Sequence, residues 1–152
     1  MEIKLIEDIA GLIAFLNDPK NTENIVESGQ LYHIKPDAIY VGIYKDSELV
    51  GVMEARKFWH STIEIHPIFS ANYRGKKAID AMRLFFGWML ANFTFTNLIT
   101  MVPETTRYGA VAALALGASR IGILQDAFIC YGEPVAVTLY QLPRAACEEL
   151  CR

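Results

Sequence analysis

The sequence predicts an α/β fold of the α+β kind, with elements in the order β-α-α-β-β-β-α-β-α-β-β. Three observations predict it. Short stretches of alternating apolar residues are interrupted by segments in which apolar residues recur at helical spacing. Turn chemistry falls between these stretches, at "KDSE" and around Gly132 to Pro134. No internal repeat, linker or low-complexity tract divides the 152 residues, so residues 1–152 are expected to form a single domain with a core of its own.

Taken in order, "EIKLI" alternates and reads as a strand. Asp8 is placed to cap a helix with Ile9, Leu12, Ile13 and Leu16 inward, and Pro19 is expected to end it. A second helix is expected across "TENIVES", stopping at Gly29. "AIYVGIY", the turn "KDSE" and "LVGVMEARKF" form a hairpin signature, followed by a strand "STIEIHPIF" in which Pro67 marks a candidate bulge or break in pairing. From Ala78 the period changes: Ile79, Met82, Phe85, Phe86, Met89 and Leu90 share one helical face. "NLITMVP" reads as a buried strand and "TTRYGAVAALALG" as an alanine-rich helix closed by Gly117. Two last strands, "RIGILQDAFICY" and "PVAVTLYQL", are joined by a turn at Gly132 to Pro134.

Composition excludes several functions. A net charge of −3 and a pI near 5.6 do not suit a general nucleic-acid binder, which needs a broad basic surface. The apolar run from Gly109 to Ala118 is far short of a membrane span. "MEIKLIEDIA" carries acids where a signal peptide carries bases, so a cytoplasmic location is expected. Cys130, Cys147 and Cys151 lie near no histidine at metal-binding spacing, and no metal is expected.

Two constellations carry chemistry. "NYRGKKA", residues 72–78, gathers Arg74, Lys76 and Lys77 around Gly75 at a helix start, where free backbone amides attract anions. Gly75 and Ala78 are small enough for a phosphate to approach the backbone closely. On the preceding strand, Thr62, Glu64 and His66 share one face, and the latter two are candidate bases, with His33 and His60 behind them. Phe85, Phe86 and Trp88 fit packing better than a substrate cage. Trp59 and Phe58 end a hairpin strand and are candidates to border a groove.

With "NYRGKKA", "VPETTRYGAVAALALGA" and "VAVTLYQLPR", the chain resembles the GNAT superfamily of acyl-CoA-dependent N-acetyltransferases, and most closely its divergent phage and prophage members. The resemblance implies a mixed, mostly antiparallel sheet of about seven strands flanked by about four helices. It implies acetyl-CoA as co-substrate and a primary amine, on a protein or a small molecule, attacking the thioester directly in a ternary complex. It leaves a homodimer open and, for a phage-encoded chain, implies the host cytoplasm. Tyr73 to Ala78 would hold the diphosphate, amides near Ile68 and Phe69 would grip the pantetheine arm and polarise the carbonyl, and Thr106 takes the place of a frequent asparagine. Glu64 or His66 would be the general base.

The chain departs from that pattern at Lys77 and Ile79, where small residues are usual, and at Ala118, where a Phe is usual. Ala113 stands where a tyrosine commonly protonates the departing thiolate, leaving Tyr131 or water for that role. An enzyme, a CoA-binding protein without turnover and a non-catalytic module of the same fold therefore all stay open.

Overall fold

A computed structural model describes residues 1–22 and 25–152. Seven strands form one sheet: β1 (Glu2–Leu5), β2 (Ala38–Lys45), β3 (Glu48–Trp59), β4 (Thr62–Phe69), β5 (Asn97–Pro103), β6 (Ser119–Cys130) and β7 (Glu133–Pro143). Their spatial order is β1-β2-β3-β4-β5-β7-β6, antiparallel everywhere except between β4 and β5. Two-residue turns close the hairpins. Asp46 and Ser47 join β2 to β3, and Tyr131 and Gly132 join β6 to β7, all four at positive φ as right-twisted hairpins prefer. The second turn thus sits earlier than its proline suggests, and Pro134 pairs with Ile129 inside the ladder.

The helices are α1 (Ile9–Leu16), α2 (Pro19–Thr22), α3 (Lys76–Asn92), α4 (Arg107–Ala115) and α5 (Arg144–Leu150). The Asp8 carboxylate accepts from the Gly11 amide at 2.9 Å, a side-chain cap for α1. Only Leu12 and Leu16 of α1 are buried; Ile9 and Ile13 are exposed, so its inner face is half as wide as expected. Pro19 does not end α1 but opens α2, because a first-turn residue needs no amide donor, and the Asp18 carboxylate caps the Lys20 amide. Of the helix expected over 22–28, residues 23 and 24 lie outside the described residues, and 25–28 are not helical. α5 was not expected; Arg144 pairs with Glu148 along it, and Cys147 seals it to the core.

α3 buries Ala78, Ala81, Met82, Phe85, Phe86 and Met89 against Ile65, Leu98 and Leu142 of the sheet. Leu12 and Leu16 cover the other face with Tyr40, Val52 and Ile68. Alternation along β4 therefore sends Ile63 and Ile65 toward α3, and Glu64, His66 and Ile68 toward α1. Pro67 causes no bulge: the β3–β4 register runs unbroken from Ile63 to Phe69. It costs no ladder bond, since Ser70 donates to Val50 and the alternation then commits the Ile68 amide to Val52, turning Pro67 and the Phe69 amide to the other edge.

Candidate active site

That other edge is open. β4 and β5 pair only from Thr62–Asn97 to Glu64–Ile99, and beyond this point the two strands run on to Phe69 and Pro103 without pairing each other. The parting creates a cleft of about 430 Å³. Its walls come from the free ends of both strands and from the starts of the helices that follow, α3 and α4. A parallel pair that separates toward its C-terminal ends, with two helices beginning at the gap, presents two sets of first-turn amides beside it.

At the apex stands a charge network. Glu64, almost wholly buried, accepts from Arg56 Nε at 2.6 Å on one oxygen and hydrogen-bonds His66 Nε2 at 2.8 Å on the other. Burial alone would raise its pKa, but the bonds to His66 and Arg56 prevail and hold it down to about 2. With Glu64 ionised, Nε2 carries the proton that the carboxylate accepts, which leaves Nδ1 of a neutral His66 as an acceptor. Behind them Glu54, opposite His66 across the β3–β4 ladder, is fully buried. One of its oxygens accepts from Lys35 Nζ at 2.7 Å, and the other has no partner among the described residues. Burial raises the Glu54 pKa, and burial followed by the nearby Arg56 charge lowers that of Lys35.

The loop at the mouth is more self-contained than its charges suggest. Arg74 donates to the Lys20 carbonyl at 2.8 Å and lies over the Tyr108 ring at 5.0 Å, on the cleft wall. Gly75 is the N-cap of α3 at φ 65°, and no side chain caps that helix. Lys76 binds Asp80 at 2.8 Å, and Lys77 lies 6.0 Å from the Tyr73 ring centre. Ala78 is buried in the cleft wall. Tyr73 is buried, stacked on Phe69 at 6.2 Å, with its hydroxyl directed to Met1 Sδ; it braces the loop from behind. Ile68 is fully buried among the α1-side apolar residues, whereas Phe69 lines the cleft.

Across the gap, Thr106 is the N-cap of α4 and is buried in the wall, yet its hydroxyl neither caps the helix nor finds any other partner among the described residues. Ala113 packs against Val102 and Tyr140. Tyr131 is three-quarters exposed on the β6–β7 turn. His33 and His60 are both exposed, as are Phe58 and Trp59 at the end of β3. Sequence reasoning missed Lys35, Glu54, Arg56 and Tyr140. Glu54 and Arg56 had a signal, since pairing "VMEARKF" with "STIEIHPIF" in a tight hairpin sets them opposite His66 and Glu64.

An acyl-CoA site is consistent with these residues: among the described residues the buried hydroxyl of Thr106 and the start of α3 both lack a partner that a polar, anionic ligand would supply. Among the described residues no cluster of side chains suits a metal ion, and no helix is long and apolar enough to cross a membrane.

Solved structures share this architecture. Spermidine N-acetyltransferase from Vibrio cholerae, determined in complex with CoA and spermine, superposes with a TM-score of 0.82 at 13% identity, covering 97% of each chain. The ribosomal-protein-alanine N-acetyltransferase of Brucella melitensis gives 0.78 at 13% identity, over 94% of this chain and 99% of that one. The fold is thus the GNAT fold. In sequence, protein p31 of Acyrthosiphon pisum secondary endosymbiont phage 1 is 32% identical over 144 residues, 95% of this chain and 93% of that protein. Residues 3–152 match the family described as "Protein of unknown function (DUF2824)", and the chain is a member of that family, built on the GNAT fold.

Proposed function

We propose that the protein is an acetyl-CoA-dependent N-acetyltransferase acting on a primary amine. The observation that carries this is the His66–Glu64 pair standing where β4 parts from β5, the point at which an acceptor and a thioester lying in the cleft would meet. Bound acetyl-CoA supplies an activated acetyl group. The chain's own residues do the rest. First-turn amides of α3 after Gly75, with Arg74 beside them, bind the diphosphate. The Phe69 amide, turned to the open edge, donates to the ligand's amide or thioester oxygen. His66 Nδ1 takes a proton from the acceptor ammonium, and Glu64 fixes the ring and steadies the imidazolium. Glu64 is therefore a positioning residue, since a carboxyl held near 2 is a poor base at neutral pH. The hydroxyl missing at Ala113 is offered from β7 by Tyr140, which packs on that alanine and lines the same cleft. Its proton goes to the departing thiolate as the carbon–sulfur bond breaks.

Ala113 itself favours a second reading, a CoA-binding or structural module without turnover. Calorimetric titration with acetyl-CoA, followed by free-thiol release over a panel of amines, separates the two. Saturable binding with amine-dependent thiol release is expected. Binding without release gives the CoA-binding module; no binding at millimolar acetyl-CoA removes acetyl transfer and leaves the structural module.

A further inference from the structure

The acceptor end of the cleft is not symmetric in charge, although its ion pairs nearly cancel. Lys35 and Arg56 keep 36% and 31% of their side-chain surface exposed, whereas Glu54 and Glu64 behind them keep 0% and 1%. Both Glu64 oxygens are already taken, by Arg56 and His66, and both Glu54 oxygens are buried. Arg56 uses only Nε in its ion pair, and no other hydrogen bond holds its two terminal Nη groups among the described residues. Lys35 spends one donor on Glu54. Of the charged side chains that line the cleft beside His66, the accessible ones, Lys35 and Arg56, are therefore donors, and the planar fork of Arg56 matches a carboxylate; Asp37, exposed and near enough to act on both, lines a separate hollow.

We infer that the acceptor carries a carboxylate close to its amine, bound by Arg56 and Lys35 while the amine faces His66. A small amino acid fits this wall. A polyamine does not, because within the cleft its second ammonium would lie against two cations whose carboxylate partners are buried behind them, and the exposed Asp37 lines a separate hollow. Arg56 sits two residues along β3 from the partner of His66, roughly 7 Å away on the pleated surface, a span that an amino acid with its two hydrogen bonds can bridge.

The inference rests on the acetyl-transfer proposal, and product-like probes separate the two. N-acetylglycine, its uncharged amide N-acetylglycinamide, and N-acetylputrescine are titrated while the His66 ring is followed by NMR, with and without CoA. His33 and His60, exposed elsewhere, are internal references. Expected is a saturable shift of His66 alone by N-acetylglycine, about tenfold weaker binding of the uncharged amide, and no saturable shift with N-acetylputrescine. Arg56→Gln should abolish the preference, and Arg56→Lys, which keeps a charge for Glu64 but loses the fork, should reduce it. Equal affinity for the charged and uncharged glycine probes, or a His66 shift by N-acetylputrescine as large as that by N-acetylglycine, overturns the inference. If CoA binds and N-acetylglycine does not, the acceptor assignment falls while acetyl transfer stands. If N-acetylglycine binds at Arg56 and CoA does not, the anion subsite stands and acetyl transfer falls.

Discussion

Glu64 and His66 show how one residue pair ties stability to chemistry. Glu64 is depressed from an ordinary value of 4.5 to about 2, so its pairing stabilises the fold fully above pH 4.5 and is lost as pH falls toward 2. That difference is on the order of 3 kcal/mol. Glu54, raised by burial, acts in the opposite sense and partly masks the effect in the wild type. The comparison to make is thermal melting of wild type against Glu64→Gln from pH 7 to pH 3: the gap between them should narrow on acidification. In turnover, His66→Ala should lower kcat by about 10² to 10⁴ with acetyl-CoA affinity unchanged. Glu64→Gln should lower kcat less, since the ring keeps a hydrogen-bond partner but the imidazolium formed in turnover loses its counter-charge. The shared face of Glu64 and His66 was legible from alternation alone. Arg56, the partner of Glu64, was legible only through the register of the tight hairpin, and Lys35, the partner of Glu54, was not legible, because a loop's return path decides what it faces.

Among the elements, α3 was legible and its neighbours less so. Seventeen residues with a continuous apolar stripe leave little choice, whereas α2 is a single turn whose existence depends on Asp18 and Pro19 rather than on periodicity. α5 follows a proline that reads equally well as a strand's end. The start of α3 also separates two effects that its sequence runs together. Gly75 holds φ 65° and ψ −135°, so Gly75→Ala should cost about 1–2 kcal/mol although a methyl group there would meet open space. Arg74→Glu touches only a surface carbonyl and a ring, and should leave the melting temperature within about 2 °C while weakening acetyl-CoA about tenfold or more. Calorimetry and melting on the two variants give both readouts.

At the scale of the molecule, the seven-strand order was legible as a succession of elements, but the parting of β4 from β5 was not. Pro67 in "HPIF" is a candidate break in pairing, and its missing amide does face the β5 edge, but nothing in "HPIF" or "TMVP" says that the strands part already after Glu64 and Ile99, above a crossover helix packed under both. A ligand filling that gap should raise stability by about 2.7 kcal/mol at 100 times its dissociation constant, roughly 5 to 10 °C in melting temperature. Hydrogen exchange should localise the gain to the amides of Ile63 to Ile65 and Leu98 to Thr100, the short seam beside the gap; protection spread evenly over the sheet would place the ligand elsewhere.

The seam has a further consequence for how the chain is divided. Strands β1 to β4 all precede it and β5 to β7 all follow it, so the polypeptide passes from one half of the sheet to the other once, through α3 and the connection at 93–96. A nick in that connection would leave two fragments, each with its own contiguous antiparallel ladder, to be rejoined by the three residue pairs between β4 and β5 and by the packing of α3 against α5, Leu98 and Leu142. The gap lies along the same boundary. A molecule bound in it touches both fragments, so their reassembly becomes a report on the molecule's presence.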